Sequence, residues 1–528
     1  MQFYEHKDLL IYPNQSPLLL QSVPEARSIN GSMIAVPRSL HNLQVLRRLE
    51  FPTPAVITDA NYDWPRAPGI TPYESQKLTA NFMVLNRRCF VLSDMGTGKT
   101  LASLWAADWL MRHHDNFRAL IVAPLSILQT VWANAIFRNF LNRRTVEVLH
   151  GDATKRLKAL ERPADFYIVN YDGLGVGSHT RGRIQLDGFA AALAERNDIR
   201  LVICDEASAY KDAQTKRHRI ARQIVGQKEY LWLETGTPTP NAPTDAYGLA
   251  KMVNNAWGKS QKTFQMETMI QISNFKWVPQ KDGYEKARRM LSPSIRIDIK
   301  DVWDAPEMTT QQRAVELTPQ QKTMMAELKR DLQVVMKSGQ PITAANEAAV
   351  RQKFMQISLG AIYDQNHRSH AIDASSRIRE IEAVIEEAPS KILIFAPLTS
   401  VVNLLYDRLN GHGKVFEVVN GNTSPKDRAR IFQAFQQGRE PHGIIADPGT
   451  MAHGLDLWMA QTVCWYGPVD KTELYLQANK RAHRPGQKHP VTVVQIVSNK
   501  LEIEIYRRLE NNESMQGALL DMVRRGEL

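Results

Sequence analysis

Ser93–Thr100 (SDMGTGKT) is the segment that most restricts what this chain can become. It follows an apolar run of strand length, CFVL, and leads into a helical run, LASLWAADWL. A phosphate-binding loop requires that setting, because small residues let backbone N–H groups wrap a phosphate at a helix N-terminus. Met95, Gly96, Thr97 and Gly98 are therefore expected to line a nucleotide's phosphates. Lys99 would neutralise the β- and γ-phosphates, and Thr100 would hold Mg²⁺. Ser93 stands where the usual pattern begins with glycine.

The neighbouring sequence carries the same architecture forward. Between about residues 71 and 250 lie five short apolar runs (CFVLS, ALIVAPL, FYIVNY, LVICDE and YLWLETG), most of them separated by helically spaced stretches such as Leu101–Met111 and Val131–Phe140. This alternation predicts a parallel sheet buried on both faces, with ligand loops at the carboxyl ends of its strands. After residue 390 the pattern recurs in KILIFAP, KVFEVVNG, GIIADPG, TVCWYG and VTVVQIV. The expected fold class is α/β, with two similar lobes at 71–250 and 376–528. The span 251–375 reads as helical insertions and a brace, with helices over Gln320–Lys337 and Asn346–Leu359 and no sheet of its own. In residues 1–70, prolines at 13, 17, 24, 37, 52, 54, 65 and 68 punctuate short mixed segments, which predicts a small α+β module.

Three further segments carry chemistry. LVICDEAS (Leu201–Ser208) ends a buried strand in two carboxylates, 106 residues after Lys99. At a strand tip Asp205 can hold Mg²⁺, and Glu206 can orient an attacking water and accept its proton. Gln76, 23 residues before Lys99, has an amide that can both donate to and accept from adenine, so ATP is the expected nucleotide. In QANKRAHRPGQ (Gln477–Gln487), Arg481 and Arg484 would lie one helical turn apart on one face. An arginine brought to the γ-phosphate stabilises transition-state charge.

These segments, in this order, resemble the Swi/Snf-like branch of helicase superfamily two. The resemblance covers about residues 71–510 and rests on Gln76, DMGTGKT, APLSILQTVW, VNYDGL, DEAS, ETGTPTPN, ILIFAPL, AHGLDL and QANKRAHRPGQ; RIDIKDV and ELTPQQ are similar to that branch's connector between lobes. It implies two RecA-like lobes with ATP in the cleft between them, Gln477 beside the nucleotide, and hydrolysis that requires closure. It also implies backbone contact with nucleic acid from loops holding Pro124, Ser126, Asn170, Tyr171, His453 and Gly454, and a turn at Thr235–Thr237 that links nucleotide state to lobe position. Ser208, Asp456 and Lys480 depart from the family pattern of His, Asn and Gly, which bears on coupling between DNA and ATP more than on hydrolysis.

Composition fits a polyanionic partner: 66 Lys+Arg against 55 Asp+Glu give a net charge of +11. Cys89, Cys204 and Cys464 lie far apart with no CxxC pair, so they read as buried apolar residues and not as zinc ligands. Neither a membrane span nor a signal peptide is evident. The expected partner is double-stranded or forked DNA. A strand-separating DNA or RNA helicase, and an ATP-driven accessory factor remodelling an RNA polymerase or repair complex, are the rival readings. The expected location is the cytoplasm or nucleoid of a bacterium, or a host cytoplasm for a viral protein. Finally, Arg27–Phe51 resembles the recognition module of HARP-type annealing helicases, with Leu43, Val45, Leu46 and Leu49 as the buried stripe of a helix and Arg38, Arg47 and Arg48 as candidates for a DNA junction.

Overall fold

The apolar runs form strands because each must bury two faces at once. In the computed structural model, residues 3–13, 17–29, 31–181, 183–273, 276–337, 344–363, 368–410, 413–451, 457–511 and 522 are described. The chain divides into two compact units, the first comprising Met1–Thr239 and Pro243–Val302, the second Pro240–Ala242 and Trp303–Leu528.

The first unit is built on a seven-stranded sheet in the order Ser294–Ile295, Arg88–Val91, Tyr230–Glu234, Ile199–Cys204, Arg118–Ala123, Phe166–Asn170, Val146–Leu149. Every pairing in it is parallel. Successive side chains alternate between two cores. Ala119, Ile121, Leu201 and Ile203 enter one core, while Leu120, Val122, Val202 and Cys204 enter the other, as the two-residue period of a strand dictates. The Lys99–His113 helix covers the first face with Leu104, Trp105 and Leu110 fully buried. Its Asp108 is also fully buried; it accepts from Tyr62 Oη and pairs with Arg143 and Arg144. A buried carboxylate persists only with partners of this kind.

The N-terminal segment forms a four-stranded antiparallel sheet, in the order Tyr4–His6, Leu9–Tyr12, Met33–Pro37, Arg27–Ile29, followed by the Leu40–Arg48 helix. Leu43 and Leu46 are buried, and Val45 and Leu49 pack beside them in the first core. Gln44 stitches this helix to the lobe: its Nε2 donates to the Val84 carbonyl and to Tyr230 Oη, and its Oε1 accepts from Arg87 Nε.

A six-stranded sheet, also parallel throughout, forms the second unit in the order Met308–Ala314, Val491–Val497, Ala460–Trp465, Lys391–Phe395, Gly443–Ala446, Phe416–Val419. The fully buried pair Arg377 and Glu502, 2.6 Å apart, ties its Ser375–Glu387 and Lys500–Glu510 helices together.

The span 251–375 differs from the helical brace expected of it. The helices Pro319–Lys337 and Ala344–Leu359 are present. However, Ser294–Ile295 extends the first sheet, Met308–Ala314 extends the second, and two short hairpins lie on either side. These strands are two to seven residues long, and MTTQQRA lies almost wholly exposed at a sheet edge, so no apolar pattern announces it.

Candidate nucleotide site

The loop expected to hold phosphate is folded by its glycines. Gly96 (φ +86°) and Gly98 (φ +80°) adopt the left-handed conformation that suits glycine, and Gly98 caps the Lys99–His113 helix. A Cβ on Gly98 would lie 2.0 Å from Gln76 Nε2. Gln76 Nε2 donates to the Gly98 carbonyl (3.2 Å), and its Oε1 accepts from Tyr73 N (2.9 Å). The expected adenine reader is thus buried and fastened to the loop, with one amide hydrogen and further lone-pair capacity left for a base. Lys99 Nζ donates to the carbonyls of Ser93 and Asp94, both at 2.8 Å, and Thr97 Oγ1 donates to the Asp94 carbonyl. Met95 and Thr100 are half-buried on the same loop.

Ser93, the departure from the usual glycine, has a structural explanation. Its Oγ accepts from Ile297 N (3.0 Å), while Asp94 Oδ2 accepts from Ile299 N (3.2 Å). Leu92 N and Asp94 N donate in turn to the carbonyls of Ile295 and Ile297. The RIDIKDV segment therefore runs along the start of the loop.

Asp205 and Glu206 follow the Ile199–Cys204 strand. Asp205 Oδ2 accepts from Trp132 Nε1 (2.9 Å) and Oδ1 from Glu206 N (2.9 Å). Glu206 sits at φ +50°, ψ +50°, a left-handed conformation that costs a non-glycine residue about 1–3 kcal/mol and gathers at functional sites. Trp132 was not expected here; it is fully buried and orients Asp205. A donor-only indole a few residues past a strand tip was the available signal.

Glu234 was also missed. It ends the Tyr230–Glu234 strand, is fully buried, and accepts a hydrogen bond from Ser103 Oγ of the Lys99–His113 helix. Burial, reinforced by the Asp205 charge, pushes its carboxyl up to about 8, against the opposing influence of Ser103 and Lys99. A charge closing an apolar strand (YLWLE) was its signature. In the turn that follows, Thr237 N donates to Thr235 Oγ1 (3.1 Å), and a Cβ on Gly236 would meet Ser93 O at 3.5 Å. That turn therefore lies against the phosphate loop.

The expected nucleic-acid residues are placed less uniformly. Pro124 is buried and Ser126 half-buried beyond the Arg118–Ala123 strand. Asn170 Oδ1 accepts from Arg156 Nη2 (3.2 Å), and the Tyr171 hydroxyl is buried. Asn170 is thus bonded within the unit, whereas the Tyr171 hydroxyl has no hydrogen-bond partner among the described residues and its ring packs on Tyr210. His453 and Gly454 lie outside the described residues.

In the second unit the Thr472–Asn479 helix ends before the arginines, which corrects the expectation that Arg481 and Arg484 share a helical face. Arg481 is 1% exposed and Arg484 half-buried. Pro485 and Gly486 (φ +110°) cannot prolong a helix, so the chain turns. Gln487 holds the turn: its Nε2 donates to the carbonyls of Trp458, Ala460 and Ala482. His483 Nε2 donates to the Pro306 carbonyl (2.6 Å), Arg484 Nε to the Lys480 carbonyl (3.0 Å), and the buried Gln477 to Glu473. All three cysteines are buried and unbonded. Among the described residues, no cluster of three or more His, Cys, Asp or Glu side chains could hold a metal.

Comparison with known proteins gives the family. Residues 66–370 match the SNF2-related domain and residues 376–486 the helicase conserved C-terminal domain. The chain belongs to the SNF2-related family: it is an ATP-dependent, ATP-hydrolysing enzyme of the helicase type. Among its relatives, protein p41 of Acyrthosiphon pisum secondary endosymbiont phage 1 is 23% identical over 478 residues, covering 86% of this chain and 99% of that protein. An uncharacterized ATP-dependent helicase of Mycoplasma pneumoniae is 25% identical, covering 82% of this chain and 40% of that protein. The ISWI chromatin-remodeling complex ATPase CHR11 of Arabidopsis thaliana is also 25% identical, covering 83% and 41%. The chain thus spans about two fifths of the last two proteins and nearly all of the phage protein. The solved SWI2/SNF2 ATPase core of Sulfolobus solfataricus in complex with dsDNA aligns over 88% of this chain and 95% of that one, with 21% identity and a TM-score of 0.40.

Proposed function

We propose that this chain couples ATP hydrolysis to movement along double-stranded or forked DNA. In this reading Met95–Gly98 and Lys99 hold the phosphates, and Gln76 and Gln477 contact the nucleotide. Glu206 orients the attacking water, and Arg481 and Arg484 stabilise charge in the transition state. Thr100 and Asp205 would hold Mg²⁺, which would neutralise phosphate charge. Asp205 suits that role: N–H donors from Trp132 and Glu206 orient its carboxylate, and carboxylate oxygens have further lone pairs for metal-bound water.

The observation that carries the reading is the convergence of a glycine-folded phosphate loop, its buried Gln76 and the Asp205–Glu206 tip in a chain of the SNF2-related family. The net charge of +11 supports a polyanionic track, gripped through its backbone and hence sensitive to salt. Arg47 and Arg48 are both exposed on the N-terminal helix and are the groups available for a fork, whereas Arg38 pairs with Glu5. The phage and Mycoplasma relatives support a bacterial or viral setting, in cytoplasm or nucleoid. No described helix is long and apolar enough to cross a membrane.

The test is steady-state ATPase titrated with duplex DNA, forked DNA, single-stranded DNA and RNA. Duplex or forked DNA should stimulate most, with forks preferred. Strongest stimulation by RNA or a single strand would replace this reading with a strand-separating one. Stimulation by none of the four would favour action on a protein partner.

A further inference from the structure

Away from the phosphate loop, the first unit contains a cavity of about 1180 Å³ lined by the Lys216–Val225 and Ala246–Val253 helices. This is somewhat larger than the roughly 300–1,000 Å³ of most small-molecule sites. Four cations line it: Arg88, whose guanidinium is spent on the carbonyls of Val253, Lys228 and Met252, and the three that remain, Arg219, Arg222 and Lys251. None of the three makes an ion pair among the described residues. Nearby arginines do, Arg196 with Asp198, Arg200 with Glu229 and Arg217 with Asp172. Arg222 and Lys251 are near neighbours: burial and the Arg222 charge both disfavour the charge on Lys251. Arg219 and Arg222 are exposed, so their charges are open to an anion that enters from solvent.

Two buried acceptors in the same lining are also without a protein donor. His218 is 1% exposed, and its Nε2 is 2.8 Å from the Gly248 carbonyl. A carbonyl only accepts, so Nε2 carries the proton and Nδ1 of the neutral ring is an acceptor. Burial, with Arg222 and Lys251 nearby, keeps that ring neutral against the pull of Asp212. Nδ1 has no hydrogen-bond partner. Asn254 Nδ2 donates to the carbonyls of Met290 and Ser292, which fixes the amide's orientation, and its buried Oδ1 is likewise unpartnered. Buried acceptors left unsatisfied are costly.

We propose that this cavity binds a phosphate ester that also carries hydroxyl or amine donors, such as a mononucleotide or a sugar phosphate, separately from ATP. The cations take the phosphate, and a small shift of the lining side chains brings His218 Nδ1 and Asn254 Oδ1, closed to solvent as they stand, to the ligand's donors. Such a ligand touches the two helices that follow the Asp205–Glu206 tip and the Thr235–Thr237 turn, and His218 already bonds one helix to the other.

The experiment is calorimetric titration of the full chain carrying Lys99→Ala with cytidine monophosphate, ribose 5-phosphate, inorganic phosphate and a short oligonucleotide. The K99A background separates this site from the phosphate loop. At least one ester should bind saturably and more tightly than inorganic phosphate. Binding should weaken by about tenfold or more in R219Q or R222Q, while thermal melting stays unchanged, as expected for exposed side chains. A cytidine monophosphate response alone would identify a nucleotide site, and a ribose 5-phosphate response alone a sugar-phosphate site. Four results would each overturn the proposal: no saturable binding of either ester, ester binding no tighter than inorganic phosphate, indifference to R219Q and R222Q, or capture of a short oligonucleotide alone.

Discussion

The two units present their candidate site residues by different means. In the first, Ser93, Asp205 and Thr235 each follow the carboxyl end of a central strand within two residues. Their spacing is set by a backbone ladder that runs through the Tyr230–Glu234 strand. In the second, Arg481 and Arg484 lie past the end of a helix, on a turn shaped by the side chains of Gln487 and His483. Geometry fixed by peptide groups tolerates changes in neighbouring side chains. Geometry that leans on the side chains of Gln487 and His483 is less tolerant, because losing one amide leaves several buried carbonyls without their donor. The phosphate loop should therefore be the robust half of the machinery, and the arginine turn the fragile half.

The largest effects test whether the first site carries the chemistry at all. Lys99→Ala should bring ATP turnover below detection. Glu206→Gln should lower it by about 10³-fold or more while ATP binding persists, since only the water-orienting group is lost. Equilibrium binding measured beside turnover separates the two, and normal turnover in E206Q would remove Glu206 from the site. Next, Arg484→Ala should reduce kcat by about 10³-fold with nucleotide affinity held within about tenfold. Arg481→Ala should add a lower melting temperature, because that side chain is buried. If both variants hydrolyse normally at saturating DNA and lose only DNA affinity, the turn is a phosphate clamp.

The contrast itself is sharpened by a matched pair. Gln487→Ala should lower both melting temperature and kcat, the latter by about tenfold or more, through collapse of the turn. Trp132→Phe removes one hydrogen bond to Asp205 and keeps the shape, so kcat should fall by less than about tenfold. Equal losses from the two would erase the distinction between a strand-tip site and a turn site.

The smallest effect is on stability. With the Glu234 carboxyl pushed up to about 8, the folded chain holds a proton there that the unfolded chain releases near 4.5. Stability from this group is full below that lower value and is lost as pH rises through about 8. Glu234→Gln should remove that loss, making the variant more stable than the parent by on the order of 1–2 kcal/mol at alkaline pH, with little gain at acidic pH. Denaturation midpoints measured across pH would show it, and a pH-independent difference would contradict it.

Much of this could be read from the sequence because parallel strands buried on both faces leave unmistakable apolar runs, and because a phosphate loop needs small residues in a fixed place. The strand tips at Asp205 and Thr235 followed from the same logic. Edge strands such as Met308–Ala314 were illegible, since an exposed polar strand is specified by its neighbour's backbone and not by its own side chains. Trp132 and Glu234 were visible as residues but not as partners, because their roles depend on tertiary proximity. The helical reading of Arg481 and Arg484 failed because the helix ends at Asn479, before either arginine.

Ile299, which donates to Asp94, lies three residues before Val302, the last residue of the first unit. The chain therefore leaves that unit along the rim of the phosphate loop, like a rope made fast at a cleat. Tension on the chain beyond Trp303 reaches the hydrogen bonds at Asp94 and Ser93 early, before it is spread through the sheet. Load on that line and the shape of the phosphate loop thus draw on the same few bonds, so a pull from one side and a ligand on the other are felt at a single knot.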